Sequence, residues 1–143
     1  MRIAIAAAVL AWLAALSVYD ITQRRLPNTL TVPGAVVIVA GAVAAGRGPV
    51  ALAGAAALTA VYLLVHLTAP TAMGAGDVKL ALGLGALTGS FGADVWFLAA
   101  LGAPLLTAAA AVVAVLRRTG PAVPHGPSMC LASVVAMSLA VLP

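Results

Sequence analysis

The sequence predicts an all-α membrane protein of about six transmembrane helices joined by short loops, and three observations predict it. The chain is 64% hydrophobic with a mean hydropathy of +1.21, and only 7% of it is charged, against about 25% in an ordinary soluble domain. Its apolar runs are long enough to cross a bilayer and are separated by short stretches rich in Pro, Gly or Arg. Its basic residues gather on alternate loops, as the positive-inside rule requires of a polytopic protein. Residues 1–143 therefore read as a single integral-membrane domain, with no room for a soluble domain beside the spans. Abundant Ala and Gly suit close helix packing in lipid.

The first span is expected over residues 3–19, about 26 Å of helix, after Arg2. A secretory signal peptide has the same basic start and apolar core. Asp20 and Arg24-Arg25 follow at once, however, and equally apolar runs come after them, so a span is the better reading. Pro27 breaks helix, and Asn28 or Thr29 is positioned to cap the next one. The second span is expected over 29–46, and Arg47-Gly48-Pro49 forms a tight turn. The third covers 50–68, with His66 near its end. Residues 69–76 form a Pro/Gly-rich connection to a short fourth span over 78–93. The fifth covers 95–116, and 117–124 is a basic loop. His125-Gly126-Pro127 leads into a sixth span that ends at Pro143.

Six spans fix the sidedness. Loops one, three and five carry Arg24, Arg25, Lys79, Arg117 and Arg118, five of the seven basic residues. Only Arg2 and Arg47 fall on the other side. Both termini are expected outside and the odd loops in the cytoplasm. The net charge of +4 is scattered singly or in pairs, which fits topology and not a phosphate-binding patch, so no nucleic-acid partner is expected. Cys130 stands alone, which excludes an internal disulfide and a multi-Cys zinc site.

The chain has three acidic residues. Topology puts Asp20 and Asp77 at the cytoplasmic edge and Asp94 at the opposite face. Ionisable groups next to hydrocarbon are expensive and are functional candidates by default. Two carboxylates converging there share a proton and titrate as a coupled pair. One can take a proton from water while the other, protonated, polarises a carbonyl, which is the chemistry of aspartic proteases. It requires no metal, cofactor, cysteine or serine nucleophile. Gly74 and Gly76, just ahead of Asp77, permit unusual backbone angles and close approach by another chain.

Three stretches carry a family resemblance. Gly74-Ala75-Gly76-Asp77 resembles the GxGD signature of intramembrane-type aspartic peptidases. Asp20 followed by Arg24-Arg25-Leu26-Pro27-Asn28 resembles the first-aspartate loop of type IV prepilin peptidases. Pro124-His125-Gly126-Pro127 resembles the P-x-G-P stretch before that family's last span. The chain is similar to the short prepilin peptidases that serve Tad/Flp pili or archaeal preflagellin-type signals. The resemblance implies a catalytic pair of Asp20 and Asp77, supported by Gly74, Gly76, Lys79, Arg24, Arg25, Pro27, Asn28, Pro124, Gly126 and Pro127. It implies a prepilin-like substrate whose short basic leader is removed at the cytoplasmic membrane face. The cysteine-paired cytoplasmic insertion of the longer, bifunctional members is missing, so cleavage without methyl transfer is expected. His125 stands where an aromatic residue is common in the motif.

Plainer readings lie beside these. Arg24 and Arg25 fix topology and touch anionic headgroups, and Lys79 snorkels from the start of the fourth span. His66 and His125 are expected at the cytoplasmic face, where with the aspartates they could form a metal site; hydrogen bonding at helix ends is the simpler role. Trp12, Trp96, Tyr19 and Tyr62 are expected as lipid-facing or interfacial anchors. The alternative function is a small transporter that binds a cation or proton at Asp20 and Asp77. Transport predicts carboxylates near the midplane and repeated halves, and no repeat is visible. A structural membrane subunit would leave the paired aspartates unexplained.

Overall fold

The computed structural model describes residues 1–120 and 123–141. Positions 121–122 of the basic loop and 142–143 of the expected sixth span lie outside the described residues. The described residues form six helices: α1 (Arg2–Gln23), α2 (Asn28–Ala44), α3 (Gly48–Thr68), α4 (Ala75–Gly89), α5 (Ala93–Leu116) and α6 (Gly126–Val141). Each expected span has its helix, but the ends move in ways that matter for the site.

α1 runs through residue 20 to Gln23, so Asp20 sits in its last turns and not in a loop. Arg24 then turns left-handed, with φ 50°, and its N–H closes on the Asp20 carbonyl. Pro27, not Asn28 or Thr29, is the N-cap of α2; its extended backbone and its carbonyl, which accepts from the N–H groups of Leu30 and Thr31, start the helix without a side-chain cap. The turn before α3 is made by Gly46, with φ 73°, while Gly48 and Pro49 already belong to the helix. α4 begins at Ala75, which puts Asp77 in its first turn.

α1, α3 and α5 are long and apolar enough to cross a membrane; α2 and α6 are apolar but shorter. α4, the shortest, lies inside and packs on α2, α3, α5 and α6. Leu80, Ala81 and residues 83–89 of α4 are buried. Leucines 64, 105 and 116, with many other large apolar side chains, point outward. In water such a surface would aggregate, whereas in lipid it is the expected one.

Lipid is as apolar as leucine, so helices there are held together by close packing and hydrogen bonds. The α3–α4 contact shows this. Gly54 faces Gly85 and Gly89 with the backbones in contact, and a Cβ on Gly54 or Gly85 would meet a carbonyl oxygen of the other. Trp96 Nε1 donates to the Gly54 carbonyl at 3.0 Å, and Trp12 Nε1 to the Leu30 carbonyl at 2.9 Å. The tryptophans are therefore half-buried struts between helices and not lipid anchors, and Tyr62 is buried in the core; Tyr19 is exposed as expected. Their indole N–H and phenol groups find partners inside the bundle, which decides their placement. At the end away from Asp77, Arg47 Nη1 donates to the Ser90 carbonyl at 3.0 Å, near Asp94 in the first turn of α5.

Candidate active site

The end of α1, the start of α2 and the start of α4 enclose a cavity of about 620 Å³. Asp20 and Asp77 both line it, and each carboxylate residue is only 8% exposed. Asp94 is at the other end of the bundle.

Each carboxylate is gripped by a backbone N–H. Asp77 Oδ2 accepts from Gly74 N–H at 3.2 Å, while the Asp77 N–H donates back to the Gly74 carbonyl at 3.1 Å. A carboxylate in a helix's first turn also meets the positive end of the helix dipole. Asp20 Oδ2 accepts from Gly126 N–H at 2.9 Å, in a buried bond that ties α1 to the start of α6. Burial, and next the charge of Asp20, push the Asp77 carboxyl up to about 6, against the pull of the Gly74 hydrogen bond. Asp77 lies ahead of the apolar part of its helix, at the cavity wall.

Of the expected support residues, Arg24, Arg25, Pro27, Asn28, Gly74, Gly76 and Lys79 line the cavity, joined by Gln23, Leu26 and Ala75, which the sequence did not single out. Lys79 is exposed at the start of α4. Its Nζ donates to Asn28 Oδ1 at 2.8 Å and ties α4 to α2 across the cavity rim. Gly126 touches Asp20 directly, whereas Pro124 and Pro127 flank it without lining the cavity.

The expectation of unusual backbone at the glycines is corrected. Gly74 has φ −75°, and Gly76 is an ordinary helical residue. What Gly76 needs is room: a Cβ there would sit 3.1 Å from Leu26 Cβ, so the α1–α2 loop of this same chain is what approaches closely. Gly126 is tighter still, since a Cβ there would lie 2.6 Å from Asp20 Oδ2.

The histidines are engaged in hydrogen bonds. His66 Nδ1 meets the Met73 carbonyl at 2.8 Å and must be the donor. His125 Nε2 is 2.9 Å from the Tyr62 hydroxyl and its Nδ1 is 2.7 Å from Thr107 Oγ1. Thr107 gives its own proton to the Ala103 carbonyl, so Nδ1 carries the hydrogen and Tyr62 donates to Nε2. Burial holds the His125 ring below its ordinary range, against the pull of Asp20, which favours this neutral form. Among the described residues, no three His, Cys, Asp or Glu side chains are grouped to hold a metal ion. Sequence reasoning missed this network; its one visible signal is the spacing of Tyr62 and His66, one turn apart on α3.

A protein-family model described as the type IV leader peptidase family matches residues 7–142, nearly the whole chain. Comparisons with curated proteins and with solved structures gave no match.

Proposed function

This membrane protein belongs to the type IV leader peptidase family, and on that premise we propose that it is an aspartic endopeptidase in which Asp20 and Asp77 cut leader peptides together. The observation that carries the reading is the shared cavity. Two nearly buried carboxylates line one cavity, each oriented by a backbone N–H, and the charge of Asp20 acts on Asp77.

Asp77, whose carboxyl is raised to about 6, is the member that holds the shared proton. It donates a hydrogen bond to the carbonyl of the scissile peptide. Asp20 takes a proton from water, the hydroxyl attacks the polarised carbonyl, and the resulting diol collapses as the amine departs with a proton from the pair. The substrate is a prepilin-like protein with a short basic leader ahead of an apolar helix. The cavity opens at the cytoplasmic face of the plasma membrane, following the basic residues of the odd loops. Arg24 and Arg25 at the rim meet anionic headgroups. Both carboxylates sit in terminal turns of their helices, which weighs against the midplane ion site of a transporter.

The test is co-expression with a precursor carrying a short basic leader, reading the ratio of precursor to mature product on a gel. Asp20→Asn and Asp77→Asn keep side-chain shape but cannot exchange a proton near neutral pH. Each is expected to abolish leader removal while the protein still accumulates in the membrane. Asp94→Asn stays active as the control. Normal processing by either well-expressed single variant would remove the mechanism.

A further inference from the structure

Neither carboxylate is gripped by a free-standing loop. Gly74 N–H, which holds Asp77, shares a peptide unit with the Met73 carbonyl, and that carbonyl accepts from His66 Nδ1. Gly126 N–H, which holds Asp20, follows His125, whose ring is clamped between the Tyr62 and Thr107 hydroxyls. Tyr62 and His66 are four positions apart on α3 and therefore lie on one face of that helix. One edge of α3 thus bonds the peptide that anchors Asp77 and the side chain of the residue just ahead of the Gly126 N–H that anchors Asp20, although α3 supplies no carboxylate itself.

We infer that Tyr62 and His66 are positioning residues for the peptidase reaction: a single edge of α3 fixes the two peptide units whose N–H groups aim Asp20 and Asp77. The inference rests on the reading of those aspartates as the catalytic pair. Two physical effects act together. A hydrogen bond to the carbonyl side of an amide polarises it and strengthens its N–H as a donor, so His66 tightens the Gly74 grip on Asp77. A clamped His125 ring also leaves the 125–126 peptide little freedom, and displacement of a reacting group by about 1 Å can cost on the order of 100-fold in rate. Neither residue lines the cavity, so both act on the rate of the bound substrate and not on its capture.

The experiment measures kcat and KM separately for purified protein in detergent, on a precursor with a short basic leader ahead of an apolar helix. His66→Leu removes the donor to Met73. His66→Asn restores it, because a carboxamide nitrogen falls where Nδ1 was. Tyr62→Phe deletes one oxygen and leaves the ring. His66→Leu and Tyr62→Phe are expected to lower kcat about tenfold with KM within about twofold, and His66→Asn to return kcat to within about threefold of the parent. Wild-type kcat in His66→Leu and Tyr62→Phe overturns the inference. So does an equal loss in His66→Leu and His66→Asn, which would mean that the ring's bulk is what matters. If His66→Leu fails to accumulate, Tyr62→Phe and His66→Asn decide on the same criteria. Asp20→Asn is run in parallel. Cleavage by that variant defeats the underlying reading, whereas an inactive Asp20→Asn beside normal Tyr62→Phe and His66→Leu defeats this inference alone.

Discussion

Asp77 and Asp20 line the same cavity but are held in opposite ways. Asp77 is gripped from within its own helix turn, by an N–H three positions earlier, at a helix N-terminus where a negative charge is favoured by about 0.3–1 kcal/mol. Asp20 sits at the C-terminal end of α1, where the outward carbonyls disfavour a carboxylate. Its grip comes from Gly126, 106 positions away. A local anchor survives small changes in packing, because helix and cap move together. A long-range anchor holds only while α1 and α6 keep their spacing. The Asp20 side of the pair is therefore the fragile one.

Glycine substitutions break this comparison most sharply. Gly126→Ala forces a methyl group to 2.6 Å from Asp20 Oδ2, so α6 must move away from α1 or the carboxylate must turn. The expected loss of kcat is about 100-fold, with a destabilisation of about 1–3 kcal/mol, read from cleavage rates and from thermal unfolding in detergent. Gly76→Ala meets Leu26 Cβ at 3.1 Å, a contact that the α1–α2 loop can relieve by a few tenths of an ångström; about tenfold is expected. Gly74→Ala meets Asp77 Oδ2 at 3.5 Å, an ordinary contact, with φ already at −75°. Its rate should stay within about threefold of the parent. A Gly74→Ala loss as large as that of Gly126→Ala would erase the distinction between the two anchors.

Titration sharpens it further. The folded Asp77 carboxyl, at about 6, lies above its ordinary 3.8, so the fold favours the protonated form. The stability contributed by that preference is complete below 3.8 and is lost as pH rises through 6. The Tm of the solubilised protein should therefore fall by a few degrees across that window relative to Asp77→Asn, in which the titrating group is gone. Parallel Tm curves for the two proteins would refute the assignment of the proton to Asp77. The smallest effect is expected from chelation. If two carboxylates activate the water, EDTA should leave the rate within about twofold; a loss that zinc restores would move the chemistry to a metal site.

How much of this was legible in the sequence follows the same division. Apolar runs interrupted by Pro, Gly and Arg announced all six helices, because length and hydropathy are local properties. The Gly74-Ala75-Gly76-Asp77 stretch announced its half of the cavity for the same reason. Asp20 could be paired with Asp77 by counting spans and basic loops and by the resemblance of its loop to a first-aspartate loop, not by any local pattern that joins the two. Nothing local pointed to Gly126 N–H as its partner, or to the contact between Leu26 and Gly76, since these depend on how α1, α2, α4 and α6 meet. The residues misread as lipid anchors, Trp12, Trp96 and Tyr62, went wrong for a related reason: hydropathy cannot say which face of an apolar helix turns inward, and a buried carbonyl or imidazole partner outweighs the pull of the interface. Nor could the sequence show that the exposed Lys79 finds its acceptor on Asn28, 51 positions away.

The central claim is that Asp20 and Asp77 act as one unit despite their unequal anchors. Its most direct measurement compares single-turnover cleavage of the same basic-leader precursor by Asp20→Asn, Asp77→Asn and the double variant, each at matched folded concentration. Groups that share one duty are not additive, so the double variant should lie within about threefold of the worse single one. Losses that multiply in the double variant, or measurable processing by either single variant at the parent's rate, would contradict the pair.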